Sequence, residues 1–211
     1  MTRFLLIRHG ETAWNADGRI QGHTDVELTE VGLEQARLAA ERLRNEKIDV
    51  VYSSDLKRAS ATGEAVAKIH KLPVKTTPLL REANLGRWQG MTMQEVAEKY
   101  PKEYAAYSKD SINNRPPDAE RLEDVIKRCR RFLDKVTELH PDATIAVACH
   151  GGTVRGLIAA ALGAGPEIYR RIRADNVAIT ILHIISGKPL LVTMNDTCHL
   201  STGSIGSGAD Q

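Results

Sequence analysis

Phe4-Leu5-Leu6-Ile7 runs without a polar break into Arg8-His9-Gly10-Glu11-Thr12. An apolar run closed by charge and glycine reads as a strand buried on both faces, as strands inside a parallel sheet are. A second stretch repeats the design, with Thr144-Ile145-Ala146-Val147-Ala148-Cys149 leading into His150-Gly151-Gly152. If the two strands lie parallel in one sheet, both histidines leave it at the carboxyl edge, where open α/β folds bind ligands. A lone histidine there is most often a satisfied structural residue. Two in matching contexts predict a shared site.

Working outward, Thr29 reads as the N-cap of a helix whose buried face is Leu33, Ala36, Ala40 and Leu43. Val50-Val51-Tyr52 is the next strand, and Ser53-Ser54-Asp55 reads as the cap of a helix carrying Arg58, Ala61, Ala65, Val66 and Ile69. Arg58 falls in the first turn of that helix, so it too can face the edge holding His9. From Leu79 to Pro117 the alternation lapses: a Gly-punctuated loop, Glu82 to Gly90, precedes a helix through Val96 and Tyr100, and a loop from Ser108 ends in Pro116-Pro117. A long amphipathic helix follows through Leu122, Val125, Ile126, Cys129, Leu133 and Val136. Its Lys127-Arg128 and Arg130-Arg131 cluster is expected on the solvated face. A strand over 145–148, a helix over 153–162 and strands over 177–184 and 190–194 complete the order.

The predicted architecture is an α/β, three-layer α/β/α domain over 1–200, with a mostly parallel central sheet and a small cap inserted at 82–117. Residues 201–211 read as a flexible Gly/Ser-rich tail.

The chain has 211 residues and a net charge of +2, which gives no reason to expect nucleic acid as a partner. The longest N-terminal apolar run is too short for a membrane span or a leader, so no membrane partner is expected. Three cysteines without close pairing fit a reducing compartment, and the expected location is cytoplasmic. Composition leaves monomer and homodimer equally open.

The edge residues have a chemistry in common. Arg8 and Arg58 supply guanidinium forks for phosphate oxygens, and His9 is a nucleophile that is partly neutral at physiological pH. In-line attack by His9 on phosphorus would give a phosphohistidine, splitting a hard hydrolysis into two steps. The leaving alkoxide then needs a proton from a carboxylic acid. Glu82 and Glu11 are the candidates; Glu82 sits in the cap loop, where a leaving group would emerge, whereas Glu11 is placed to hold the loop. No clustered metal-ligand spacing or Walker loop is present, so neither a metal nor a cofactor is expected. A rival reading uses Cys149-His150-Gly151-Gly152-Thr153-Val154-Arg155 as a C-x5-R phosphate loop with a thiolate nucleophile. That reading leaves Arg8, His9 and Arg58 idle, and Cys149 also reads simply as a small buried hydrophobe.

Taken in order, Leu6-Ile7-Arg8-His9-Gly10-Glu11-Thr12, Asn15, Gln21-Gly22, Leu28-Thr29, Gly32, Ser53-Ser54, Arg58-Ala59, Glu82, Gly86, Gly90 and His150-Gly151-Gly152 resemble the histidine phosphatase superfamily. The resemblance spans roughly residues 3 to 200. It implies His9 as the phosphorylated nucleophile, Glu82 as general acid and base, and Arg8, Arg58 and His150 as the phosphate pocket. Asn15 and the Gly151 amide would be further donors, with Gln21 and Gly22 also against the substrate, a small-molecule phosphate ester.

The superfamily includes phosphoglycerate mutases, which resemble each other in a tyrosine where Leu85 stands here, a longer cap and an arginine pair for the substrate carboxylate. This chain has no such arginine pair there, and Arg87 and Arg115 are the only arginines in its expected cap. The resemblance therefore favours a metal-independent phosphatase over a cofactor-dependent phosphoglycerate mutase, and both over a non-catalytic phosphate-binding or interaction module. Phosphoserine-acting members resemble each other in a histidine at the Leu85 position, and its absence argues against an amino-acid phosphate. The closing stretch, Asn195-Asp196-Thr197-Cys198-His199-Leu200, resembles that of α-ribazole phosphatase-like and phosphoserine phosphatase-like members.

Overall fold

The computed structural model describes residues 1–200. The predicted tail at 201–211 lies outside them.

Six strands form one sheet in the order β3-β2-β4-β1-β5-β6. They are β1 Thr2–Arg8, β2 Val50–Ser53, β3 Val74–Thr76, β4 Thr144–Cys149, β5 Ile179–Ile185 and β6 Lys188–Asp196. The first four are mutually parallel, while β5 runs antiparallel to both β1 and β6. The last two strands are a hairpin, because Ser186 and Gly187 both have positive φ, 49° and 77°, in the two-residue turn between them. Such a turn matches the twist of antiparallel strands.

β1 is buried throughout its apolar run because it has a core on each side. Phe4 and Leu6 pack with α6, Leu122–Leu139, and α7, Gly151–Leu162. Leu5 and Ile7 pack with α2, Glu30–Arg42, and α3, Lys57–His70. β4 divides its side chains in the same way, and the result is the three-layer arrangement.

Several local readings need correction. Leu33 is exposed; the buried face of α2 runs through Gly32, Gln35, Ala36, Ala39 and Ala40. Gly32 sets that rotation, since a methyl group on it would collide with the Glu11 carbonyl and one on Gly10 would collide with Gly32. The α3 N-cap is Leu56, without a side-chain cap bond; Ser53 and Ser54 are buried, and Asp55 instead pairs with Arg81. The sequence reading also passed over α1, Ala13–Ala16, strand β3, and α5, Pro101–Lys109. Between the turn Pro78–Leu80 and α6 the chain leaves the sheet, forming the turn Gly86–Trp88, α4, Met93–Lys99, and α5.

Candidate active site

Register brings the site together. Arg8 pairs with Cys149 at the ends of β1 and β4, so His9 and His150 leave the sheet side by side. Their rings are 5.1 Å apart and edge-on, and both are buried. β2 ends level with them, Ser53 opposite Ala148, which brings Arg58 in the first turn of α3 to the same edge.

Arg58 is fully buried, with its terminal nitrogens donating to the Thr24 and Gly22 carbonyls at 2.7 Å each. Burial lowers its pKa to about 10, partly offset by Glu82 and Asp25, so it stays a cation at neutral pH. Arg8 donates from one terminal nitrogen to the Ala174 carbonyl at 2.7 Å. A methyl group on Gly151 would lie 3.6 Å from Arg8 Nε, which places the start of α7 against this guanidinium. Two buried guanidiniums at one sheet edge, each with a terminal nitrogen on a backbone carbonyl, place cationic donors where a phosphate could be held.

His9 Nδ1 lies 2.7 Å from the Gly10 carbonyl. A carbonyl only accepts, so Nδ1 carries the proton and the Nε2 lone pair remains for attack. Burial, then the charges of Arg58 and Arg8, hold the His9 pKa well below its ordinary value. Burial, Arg58 and the neighbouring His9 do the same to His150. Both nitrogens of His150 are without a hydrogen-bond partner among the described residues, as is Arg58 Nε. Leaving a buried polar group unpaired costs about 1–3 kcal/mol, so a cluster of them at one sheet edge marks a place kept for a ligand.

In the unfolded chain each of these histidines takes up a proton below its ordinary value near 6.5; the fold holds them neutral. The unfolded state then binds more protons, so stability is complete above that value and is lost as pH falls below it. The expected loss is about 1.4 kcal/mol per histidine per pH unit until the folded pKa is reached. Calorimetry from roughly pH 8 to pH 5 should show a shallower slope for His150→Gln than for the native chain; equal slopes would tell against a neutral buried His150.

Glu82 is held at the N-terminus of α7. Its Oε2 accepts from the Gly152 N–H at 3.0 Å and its Oε1 from its neighbour Ala83 at 2.7 Å. A methyl group on Gly152 would collide with Oε1, so glycine is what admits the carboxylate. The Glu82 carbonyl accepts from His23 Nε2 at 2.8 Å and from Arg128 at 3.2 Å.

Arg128 is therefore a correction: it is buried rather than solvated. It pairs with Glu120 at 2.8 Å and donates to the Leu79 carbonyl at 2.7 Å. Sequence reasoning missed His23, Glu120 and Arg128 as supports of Glu82; the signals present were a glutamate before the long helix and a histidine after Gly22.

The other candidates divide. Gln21 is buried with its Oε1 unpaired among the described residues, and Gly22 serves Arg58 through its carbonyl. Asn15 closes the capping box of α1 from its third position, its Oδ1 accepting from the N–H of the N-cap Thr12 at 3.1 Å. Glu11 accepts from the Thr29 hydroxyl at 3.0 Å and so holds its loop. Between the turn Pro78–Leu80 and α6, Arg87 is an exposed partner of Asp118, whereas Arg115 turns inward, its Nε 3.3 Å from the Glu120 carbonyl.

The thiolate reading does not fit. Burial pushes the Cys149 thiol well above its ordinary range, and Arg155 Nε donates to the Ile172 carbonyl at 2.9 Å. Cys149→Ser should leave turnover within about threefold of native; a folded but inactive variant would revive that reading.

The sequence model of the family described as histidine phosphatase superfamily (branch 1) matches residues 4–197. The chain belongs to this superfamily. A phosphoglycerate mutase-like protein of Arabidopsis thaliana is 38% identical over 209 residues, covering 97% of this chain and 90% of the relative. A metal-independent phosphoserine phosphatase of the same plant is 37% identical over 208 residues, covering 96% and 84%. Among solved structures, the α-ribazole phosphatase of Shigella flexneri superposes with a TM-score of 0.85 at 30% identity, covering 92% of this chain and 96% of that one. This histidine phosphatase is a phosphoric monoester hydrolase with the fold of its superfamily. Among the described residues no helix is long and apolar enough to cross a membrane.

Proposed function

We propose that this histidine phosphatase hydrolyses a small-molecule phosphate monoester, without a metal, through a phosphohistidine on His9. The observation that carries this reading is the pairing of a tautomer-fixed His9 with two buried guanidiniums and a His150 that has no hydrogen-bond partner among the described residues, all at one sheet edge. Arg8, Arg58 and His150 hold the phosphoryl oxygens, with Asn15, Gln21 and the Gly151 amide completing the pocket. His9 Nε2 attacks phosphorus as the ester oxygen departs, and Glu82 gives that oxygen its proton. Glu82 then takes a proton from water, whose oxygen attacks phosphorus; the P–N bond breaks and inorganic phosphate leaves. Segment 82–117 is the cap of a domain spanning 1–200, and Arg115 is its cation for a second anionic group on the substrate.

The test is phosphate release in EDTA from a panel of sugar, glycerate, amino-acid, nucleoside and α-ribazole monophosphates, with the 3-phosphoglycerate sample checked for its 2-isomer. Hydrolysis of one compound with trapped phosphohistidine supports the reading and names the substrate. Isomer without free phosphate would mean a mutase, the activity in the name of the 38% identical relative.

A further inference from the structure

The strand end that carries Arg8 and His9 is held from both sides. On one, β4 continues the ladder, with the His9 N–H donating to the Cys149 carbonyl at 2.9 Å. On the other, β5 begins only at Ile179, and residues 174–177 occupy the place where its ladder would run. The Ala174 carbonyl accepts from the Arg8 guanidinium at 2.7 Å. Asn176 Nδ2 donates to the His9 carbonyl at 2.9 Å in a buried bond. The Val177 N–H reaches the Arg8 carbonyl at 3.1 Å and the His9 carbonyl at 3.4 Å. Val177 makes this contact at a φ of 49°, a left-handed conformation that strains a β-branched residue and persists only where its surroundings dictate it.

This segment is locked in turn from the end of the sheet. Asn195 accepts the Asp175 N–H at Oδ1, 2.7 Å, and donates from Nδ2 to the Asp175 carboxylate, 2.9 Å. Its own N–H goes to the Thr180 hydroxyl at 3.2 Å, and Leu200 shares a small apolar cluster with Val177 and Ala39. The closing stretch from Asn195 to Leu200, unused by the phosphate chemistry, thus stands behind the nucleophile.

We infer that residues 174–177, locked by Asn195, form a positioning clamp with two separable outputs. Asn176 sets the backbone that aims His9; the Asp175–Asn195 pair sets Arg8 through the Ala174 carbonyl. The clamp rests on the phosphohistidine reading, because it is the attack geometry of His9 that it serves. Asn176 and Asn195 are positioning residues rather than catalytic ones.

The test uses the full chain and p-nitrophenyl phosphate, with phosphorylation of His9 followed in a single turnover and inorganic phosphate used as a competitive inhibitor. Asn176→Ala removes the donor without burying a charge; Asn176→Asp keeps the volume and replaces the donor by acceptors. Both should slow phosphorylation about 10–100-fold, the scale of a misaimed reactant, with the phosphate inhibition constant within about threefold of native. Asn195→Ala should do the reverse, weakening phosphate inhibition more than it slows phosphorylation.

The inference is overturned if the folded Asn176→Ala protein phosphorylates at the native rate, or if all variants lose rate, phosphate affinity and melting temperature together. It is also overturned if neither Asn176 variant folds, since the residue would then serve the fold alone. Failure of the native chain to form phosphohistidine would instead defeat the proposed function, whatever the variants do.

Discussion

His9→Ala should lose turnover of every phosphate ester by roughly 10⁴–10⁶-fold, the range seen when a nucleophile is deleted, while still binding phosphate. The loss is large because no other group can take over the attack. His150 is the adjacent imidazole, but it lies at the N-cap of α7 and has, among the described residues, no backbone carbonyl fixing its tautomer. Cys149 is buried with its thiol pushed far from ionisation. Water would have to attack directly, without the gain from dividing the reaction in two. Binding survives because Arg8 and Arg58 are held by carbonyls of Ala174, Thr24 and Gly22, none of which involves the His9 ring. The check is initial rate, phosphate inhibition and mass-spectrometric trapping of phosphohistidine on native and variant chains. A folded His9→Ala protein with near-native rate would end the phosphohistidine proposal.

Much of this site was legible because strands buried on both faces leave an unbroken apolar signature. Phe4 to Ile7 and Ile145 to Cys149 each announce themselves that way, and the register of Arg8 with Cys149 does the rest. Arg58 was legible from a different rule, its place in the first turn after a strand. What escaped was whatever depends on contacts distant in sequence. Arg128 stands among Lys127, Arg130 and Arg131 on a helix whose basic cluster looks uniformly solvated. Only the fold shows that one of the four turns inward to Glu120 and to the Glu82 carbonyl. Leu33 fails for the opposite reason: helical spacing marked it as core, but contact between Gly32 and the Glu11 loop rotates α2 and leaves Leu33 outside. β3 is three residues, one half-buried and two exposed, too short for any pattern to declare itself. α5 carries Pro101 at its first position, a helix-start signal that the sequence reading did not use.

Glu82→Gln should slow phosphoryl transfer by about 10²–10⁴-fold for an ordinary alkyl ester, the usual range for a lost general acid. The effect should shrink sharply for an aryl ester whose leaving group departs without a proton, because that substrate does not need the acid. This contrast separates proton donation from mere support of the pocket. Glutamine also disturbs the geometry: the two oxygens of Glu82 accept from Ala83 and Gly152, and an amide has one acceptor where the carboxylate has two. Gly152→Ala approaches the same carboxylate from the other side, since its methyl group would displace Oε1 while leaving a carboxylic acid in the chain. If Glu82 is the proton donor, both variants lose alkyl-ester turnover more than aryl-ester turnover, although only one has lost the titratable group. If both esters slow equally in Glu82→Gln, the residue supports the start of α7 and the proton comes from elsewhere. A Gly152→Ala protein with native rates on both esters would mean that the carboxylate works from a position other than the one His23, Arg128 and α7 impose on it.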